Sequence, residues 1–297
     1  MRVFLTGATG FVGSAVVADL IAAGHQVLGL ARSDAAAGAL SAAGAQVHRG
    51  DLQDLESLRQ GAVLADGVIH TGFIHDFARF KAVCQIDAAA IAALGAALRD
   101  TDKPLIVTAG LALIAPGRLA VESDLGPTVS DAYPRMSEQQ AAVVAALGVH
   151  VSVVRLAPSV HGAEDHGFVP MLIDIARQKG VSAYIGAGEN RWAAVPRRDA
   201  GALFRLALEK GVAGNNYHGC AEEGIPFHKI AQAIGRGLNI PVVSKSPAEA
   251  AEHFGWFTAF AGIDCAASSA VTQTQLGWDP RGAGLIADLE TGRYFAP

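Results

Sequence analysis

Charge, aromatic rings and cysteine are all scarce in this chain of 297 residues, of which 17% are charged, 6% are aromatic and three are cysteine. Each shortage excludes a class of protein. Cys84, Cys220 and Cys265 are odd in number, far apart and free of CxxC or Cys/His spacing, so neither a disulfide framework nor a metal site is expected, and they read as buried free thiols. A net charge of −5 without a Lys/Arg cluster leaves no electrostatic footprint for nucleic acid or an anionic membrane surface. Long apolar runs are missing too: the stretch near Ala88 to Leu98 stops between Asp87 and Arg99, well short of the ~20 residues of a membrane span. Thr6, Gly7 and Thr9 break the apolar run at the start, so no secretory core is legible and a cytoplasmic protein is expected. The length suffices for one large or two modest domains with a sizeable core.

Glycine, by contrast, is plentiful, at 34 residues, and three glycines are placed with regular spacing in the opening MRVFLTGATGFVG. Arg2 to Thr6 reads as a buried strand, and Val12, Val16 and Leu20 mark one stripe of the helix that follows, which Gly24 ends. A strand that runs through a glycine turn into a helix aims unpaired N–H groups and the positive end of the helix dipole at a bound anion, here a dinucleotide pyrophosphate. Gly7 permits the tight turn, Gly10 lets backbone approach phosphate and Gly13 lets the helix lie close to the strand. Gly7, Thr9, Gly10, Phe11, Val12 and Gly13 are the candidate phosphate-side residues.

The alternation continues. His25 to Leu30, Ala45 to Arg49, Gly67 to His70, Pro104 to Thr108 and Val149 to Arg155 read as strands, with helices over Asp34 to Ala43, Phe80 to Leu98 and Ser137 to Leu147 between them. This predicts an α/β fold, a Rossmann-type doubly wound parallel sheet, with the ligand crevice at the C-terminal ends of the strands. Past Arg155 the pattern loosens, with helices expected at Phe168 to Lys179, Asp199 to Glu209 and Phe227 to Leu238. Residues 1–157 are therefore read as the dinucleotide domain and 158–297 as mainly a smaller mixed substrate domain, some of whose segments return to the large sheet.

The end of the second strand selects the cofactor. Ala31 stands where an NAD site presents an acid to the ribose, and Arg32 and Ser33 offer a guanidinium and a hydroxyl suited to a 2′-phosphate, so NADP(H) is favoured over NAD(H). Asp34 reads as the cap of the next helix. Asp51 is placed to accept from the adenine amino group with Leu52 against the ring, while Asp54 is the better helix cap.

TGATGFVG, the GDL after the third strand, VIHTG after the fourth, RLAPSVHG after the sixth and the later RWAAVPRRDA together resemble the extended and atypical branch of the short-chain dehydrogenase/reductase superfamily, the NAD-dependent epimerase/dehydratase family. The resemblance implies that Thr71, Gly72 and Phe73 flank the cofactor and that Pro158, Ser159, Val160 and His161 lie beside the nicotinamide. It also implies a Ser or Thr after the fifth strand and a Tyr-x-x-x-Lys on the next helix, and here the chain departs. Thr108 remains, but Ala109 and Gly110 follow it, and neither alignment of DAYPRMSEQQA pairs a tyrosine with a lysine: counting from Tyr133 puts Ser137 at the lysine position. Pro134 is expected to open the helix and leave Tyr133 outside it.

Without the lysine a phenol near ~10 stays protonated, which suits donation of a proton in reduction rather than its abstraction in oxidation. Tyr133, Thr108 and His161 are the candidate catalytic residues. His75 and His166 are further proton-bearing groups near the crevice, and His75, Phe168 and Trp192 are the candidate substrate contacts, although packing accounts for such aromatics equally well. The expected function is NADP(H)-dependent reduction of a small, mostly apolar carbonyl or imine compound. A non-catalytic nucleotide sensor and a sugar-nucleotide epimerase or dehydratase are the alternatives. A small-molecule substrate and neither nucleic acid nor membrane are expected as partners, and a homodimer stays open.

Overall fold

Strands with few polar positions need helices on both faces, and the order of elements supplies them. The computed structural model, which describes residues 1–131 and 133–296, begins with β1 (Arg2–Thr6), α1 (Phe11–Ala22), β2 (Gln26–Ala31), α2 (Asp34–Ala42), β3 (Gln46–Arg49), α3 (Leu55–Val63), β4 (Gly67–His70), α4 (Phe80–Leu98), β5 (Leu105–Gly110), α5 (Ser137–Ala146) and β6 (Val151–Leu156). It continues through β7 (Ser159–His161), α6 (Phe168–Lys179), β8 (Ser182–Ile185), β9 (Arg191–Pro196), α7 (Arg197–Lys210), β10 (Asn216–Gly219), β11 (Glu222–Pro226), α8 (Phe227–Leu238) and β12 (Val242–Lys245) to short helices near the end. Seven strands form one parallel sheet in the order β10-β6-β5-β4-β1-β2-β3, and a small mixed sheet has the order β11-β9-β7. The Rossmann-type expectation is met.

Alternation along β1 explains the two layers. Val3 and Leu5 face the core that includes Val16 and Leu20 of α1 and Leu203 and Phe204 of α7, while Phe4 faces Leu58 of α3 and Ile91 and Leu94 of α4. A third core lies between the small sheet, α6 and α8, with Trp192, Phe227 and Ile230 buried in it. The boundary at 157 is not a clean division of the chain, because α7 lies against α1 and β10 is the outer strand of the large sheet.

Three local readings are corrected. Asp34 does not cap α2: Ser33 does, its Oγ accepting the Ala36 N–H at 3.2 Å, and Asp34 instead meets Arg49 at 2.5 Å. Pro134 does not open α5, which begins at Ser137, so Tyr133 to Met136 form an irregular approach to it. The helix over Phe80 to Leu98 is as expected, but Asp87 does not end its apolar stretch. It is 3% exposed within α4, where His70 and Ser137 satisfy its carboxylate, and Phe77–Leu98 is long and apolar enough by length and composition to cross a membrane. Val83, Ile91 and Leu94 on the inner side of that stretch are buried in this fold, as expected of a core helix.

All three cysteines are free and buried, as read from their spacing. Burial pushes the Cys84 thiol up to about 11 and those of Cys220 and Cys265 up to about 12. No cluster of His, Cys, Asp and Glu suited to a metal occurs among the described residues.

Candidate functional site

The glycine turn after β1 is built by close backbone contacts. Gly7 has φ +69, and a Cβ on it would stand 2.6 Å from the Gly72 nitrogen; a Cβ on Gly13 would stand 2.0 Å from the Gly7 oxygen. The turn, the first residues of α1 and the loop after β4 can approach this closely only because these positions are glycine. Thr71 Oγ donates to Thr6 O at 2.8 Å, and Gly72 N donates to Thr6 Oγ1 at 3.2 Å, fixing the loop to the end of β1. Gly10 precedes α1 with no side-chain cap, so the free N–H groups of the first helical turn face outward beside exposed Thr9 and Gly10. This uncapped helix start, which a Cβ on Gly13 would force apart from the turn, fits a dinucleotide pyrophosphate.

Arg197 holds the turn from behind. Its Nε donates to Phe11 O at 2.6 Å, its Nη1 donates to Ala163 O at 3.1 Å, and its guanidinium lies 4.6 Å from the centre of the Phe11 ring. His166 meets the same ring edge-on at 5.6 Å, so the segment after β7 folds over the start of α1.

At the other flank, β2 ends at Ala31 and leaves Arg32 exposed beside the N-terminus of α2. The Ser33 hydroxyl oxygen caps α2 and its hydrogen remains free to donate. Asp51 forms a local turn, its Oδ1 accepting the Gln53 N–H at 3.0 Å, and Asp54 caps α3 as its spacing suggested. Leu52 lies over Gly72, its methyl 3.0 Å from the position a Cβ there would take.

The ends of β4 and β5 carry the least anticipated group. Arg135, in the approach to α5, places its guanidinium 4.5 Å from the centre of the Phe73 ring; its Nη2 reaches Thr108 O at 3.4 Å and its Nε donates to Ser137 Oγ at 3.2 Å. Sequence reasoning missed it because it searched for a lysine four residues after a tyrosine, whereas this cation lies two residues after Tyr133 in an irregular segment. Thr108 Oγ1 donates to His70 O at 2.7 Å, so its hydrogen is committed to joining β4 and β5. Tyr133 is half-buried. Burial pushes its phenol above the usual value, with the Arg135 charge opposing that rise.

His75 is open to solvent but crowded by protein on its other sides. Loss of solvation, then the charges of Arg135 and His166, hold it below its ordinary value of 6.5. The imidazolium is therefore unfavourable at neutral pH, and an NMR titration should place the His75 midpoint below 6.5. Arg135→Ala, which removes one of the opposing charges, should move that midpoint upward.

Phe73, His75 and Phe77 belong to an aromatic wall that reaches the substrate layer: Phe77 stacks on Trp256 at 5.2 Å and approaches Phe168 at 6.4 Å, and Phe168 meets Phe260 at 4.7 Å. Half-buried Phe168 thus joins this aromatic wall. Trp192 does not: it is 1% exposed and packs on Phe227 at 5.0 Å inside the third core. His161 is also turned away. It is 1% exposed in β7 and its Nδ1 meets Asp288 Oδ2 at 3.0 Å, because β7 pairs with β9 and faces the C-terminal helix Leu285–Glu290. Ser159 on the same strand is buried, while Pro158 and Val160 are half-buried.

Comparison with known proteins agrees with this geometry. The NAD dependent epimerase/dehydratase family matches residues 3–218. An uncharacterized protein of Schizosaccharomyces pombe is 49% identical over 99% of this chain and 100% of its own length. A 4-hydroxy-2-methyl-3-oxo-4-farnesyl-3,4-dihydroquinoline-1-oxide ketoreductase of Stigmatella aurantiaca is 30% identical, covering 60% of this chain and 56% of its own. In three dimensions the chain resembles the dTDP-glucose 4,6-dehydratase DesIV of Streptomyces venezuelae, solved with NAD and TYD bound, at a TM-score of 0.76 and 18% identity over 99% of this chain and 97% of that one.

Proposed function

Since the chain belongs to the NAD dependent epimerase/dehydratase family, we propose that it is an NADP(H)-dependent reductase of small, mostly apolar carbonyl or imine compounds. The carrying observation is the placement of Arg135 against Phe73 and the end of β5, beside the aromatic cluster in which Phe77, Phe168 and Phe260 pack on one another. An arginine stays charged at any working pH, so it stabilises negative charge that develops on a carbonyl oxygen but takes up no proton from an alcohol. When bound, the nicotinamide supplies the two-electron reduction.

The chain's own residues do the rest. The glycine turn and Leu52 hold the dinucleotide, Arg32 and Ser33 receive the 2′-phosphate, and the aromatic wall excludes water and selects apolar substrates. Tyr133 keeps its proton at neutral pH and donates it from the phenol oxygen. The neighbouring Arg135 charge favours the phenolate left behind. The ketoreductase named among the similar proteins supports reduction as the direction.

The test is NADPH consumption with benzaldehyde, an aliphatic aldehyde, a cyclic ketone and a cyclic imine, alongside dTDP-glucose. Turnover of a neutral carbonyl or imine, cut at least about tenfold by Tyr133→Phe, is the expected result. Tight NADPH binding without turnover across the panel would identify a sensor instead, and conversion of dTDP-glucose alone would identify a sugar-nucleotide enzyme.

A further inference from the structure

Beneath the crevice runs an unbroken buried chain of polar groups. Thr6 Oγ1 accepts the Gly72 N–H at 3.2 Å and meets His70 Nδ1 at 2.8 Å; His70 Nε2 meets Asp87 Oδ1 at 3.2 Å; Ser137 Oγ donates to Asp87 Oδ2 at 2.6 Å; and Arg135 Nε donates to Ser137 Oγ at 3.2 Å. Thr6, His70, Asp87 and Ser137 are each at most 3% exposed.

Donors and acceptors fix the direction of the bonds on the Ser137 side. The Ser137 hydrogen goes to the carboxylate, which leaves the Ser137 oxygen to accept from Arg135. Thr6 oxygen accepts from Gly72, and a carboxylate acceptor requires a hydrogen on His70 Nε2, while the direction of the Thr6–Nδ1 bond follows the protonation of the imidazole. The carboxylate is thus the common acceptor for both halves of the chain, one from the phosphate turn and one from Arg135. Burial raises the Asp87 carboxyl, but the hydrogen bond from His70, the charges of His70 and Arg135 and the hydrogen bond from Ser137 outweigh it and hold the group below its usual range. A buried carboxylate costs several kcal/mol of desolvation unless it is fully partnered, so a wholly apolar α4 would be the cheaper packing.

We propose that Asp87 and Ser137 are positioning residues that hold the guanidinium of Arg135 at the nicotinamide side of the crevice, with His70 and Thr6 locking the carboxylate from behind. This rests on the reading of Arg135 given above. Neither residue touches the crevice contents; each acts through Arg135. An arginine on an irregular segment has many rotamers, and a fixed acceptor at Nε selects one of them before substrate arrives.

Two measurements on the full-length protein test this. The first is solvent exchange of the Arg135 Nε–H by NMR, which needs no turnover. Ser137→Ala and Asp87→Asn should each speed exchange at least about tenfold, and Ser137→Thr, which keeps the hydroxyl, should preserve the wild-type rate. The second is a double-mutant cycle on benzaldehyde reduction with NADPH. Ser137→Ala should slow turnover about tenfold with NADPH affinity changed less than about threefold, and should add nothing in an Arg135→Ala background. Unchanged Nε–H exchange in Ser137→Ala, or losses that add in the double variant, would overturn the proposal. If Asp87→Asn does not fold, the Ser137→Ala and Ser137→Thr pair decides alone. A protected Nε–H in a protein that reduces no carbonyl would refute the reductase and leave the positioning chain standing.

Discussion

Gly10→Ala should leave the protein folded and remove most of its affinity for NADPH. The two effects separate because position 10 has φ −75 and ψ 173, which any residue adopts, and a Cβ there meets no atom nearer than Gly7 O at 3.1 Å. A shift of a few tenths of an ångström relieves that contact. A methyl added at this uncapped helix start is nevertheless expected to crowd the approach of phosphate oxygens, which must come within about 3 Å of the backbone N–H groups of the first turn of α1. Losing two charge-assisted hydrogen bonds at roughly 1.5–3 kcal/mol each predicts a fall of at least a hundredfold in affinity. Calorimetric titration alongside thermal melting tests both halves. Wild-type affinity in Gly10→Ala would mean that the turn does not hold the pyrophosphate. Gly13→Ala makes the contrast, since its Cβ would lie 2.0 Å from Gly7 O and forces the turn apart, lowering stability by about 1–3 kcal/mol as well as binding.

The second large effect is expected at Arg32. Its side chain is exposed beside the end of β2, where Ala31 provides no carboxylate for a ribose and Ser33 keeps a hydroxyl hydrogen free. A guanidinium engaging the 2′-phosphate contributes through one or two charge-assisted bonds, so Arg32→Ala should weaken NADPH by about ten- to a hundredfold. NADH, which lacks that phosphate, should change less than about threefold. The NADPH loss should shrink as salt is raised, because an exposed charge pair is screened. Equal losses for both nucleotides would remove Arg32 from phosphate recognition. Arg49 is a second cation in reach of this flank: it is opposite Ala31 in the β2–β3 register, and Asp34 engages it at 2.5 Å. Asp34→Ala would release that charge.

The sequence made the large sheet readable because both of its signals are local. Apolar runs of four to six residues, separated by amphipathic helices, identify β1 to β6 within one or two residues, and the spacing of Gly7, Gly10 and Gly13 marks the turn without any knowledge of what packs on it. The small sheet was harder to see. Ser159–His161 looks like a loop after β6 and becomes a strand only because β9, thirty residues later, pairs with it. That pairing also explains why His161 and Trp192 leave the crevice: strand alternation turns both toward the third core.

Arg135 and Asp87 were illegible for a different reason. A lone arginine in an irregular segment and a lone aspartate in an alanine-rich helix carry no spacing signal, and their connection through Ser137 exists only once α4 and α5 pack side by side. The helix over Phe80 to Leu98 was legible across Asp87, but the charge made its apolar stretch look shorter than it is, because the partners of the carboxylate lie on β4 and α5.

The outer position of β10 bears on how the protein is made. A nascent polypeptide that has left the ribosome only as far as residue 157 holds six of the seven strands, with Val151, Val153 and Val154 of β6 forming an unprotected margin. Such a margin invites pairing with another chain until β10 arrives more than fifty residues later to cover it. Synthesis of Asn216–Gly219 thus completes a half of the molecule that was translated long before, and a truncated N-terminal fragment should aggregate rather than serve as a free-standing nucleotide-binding module.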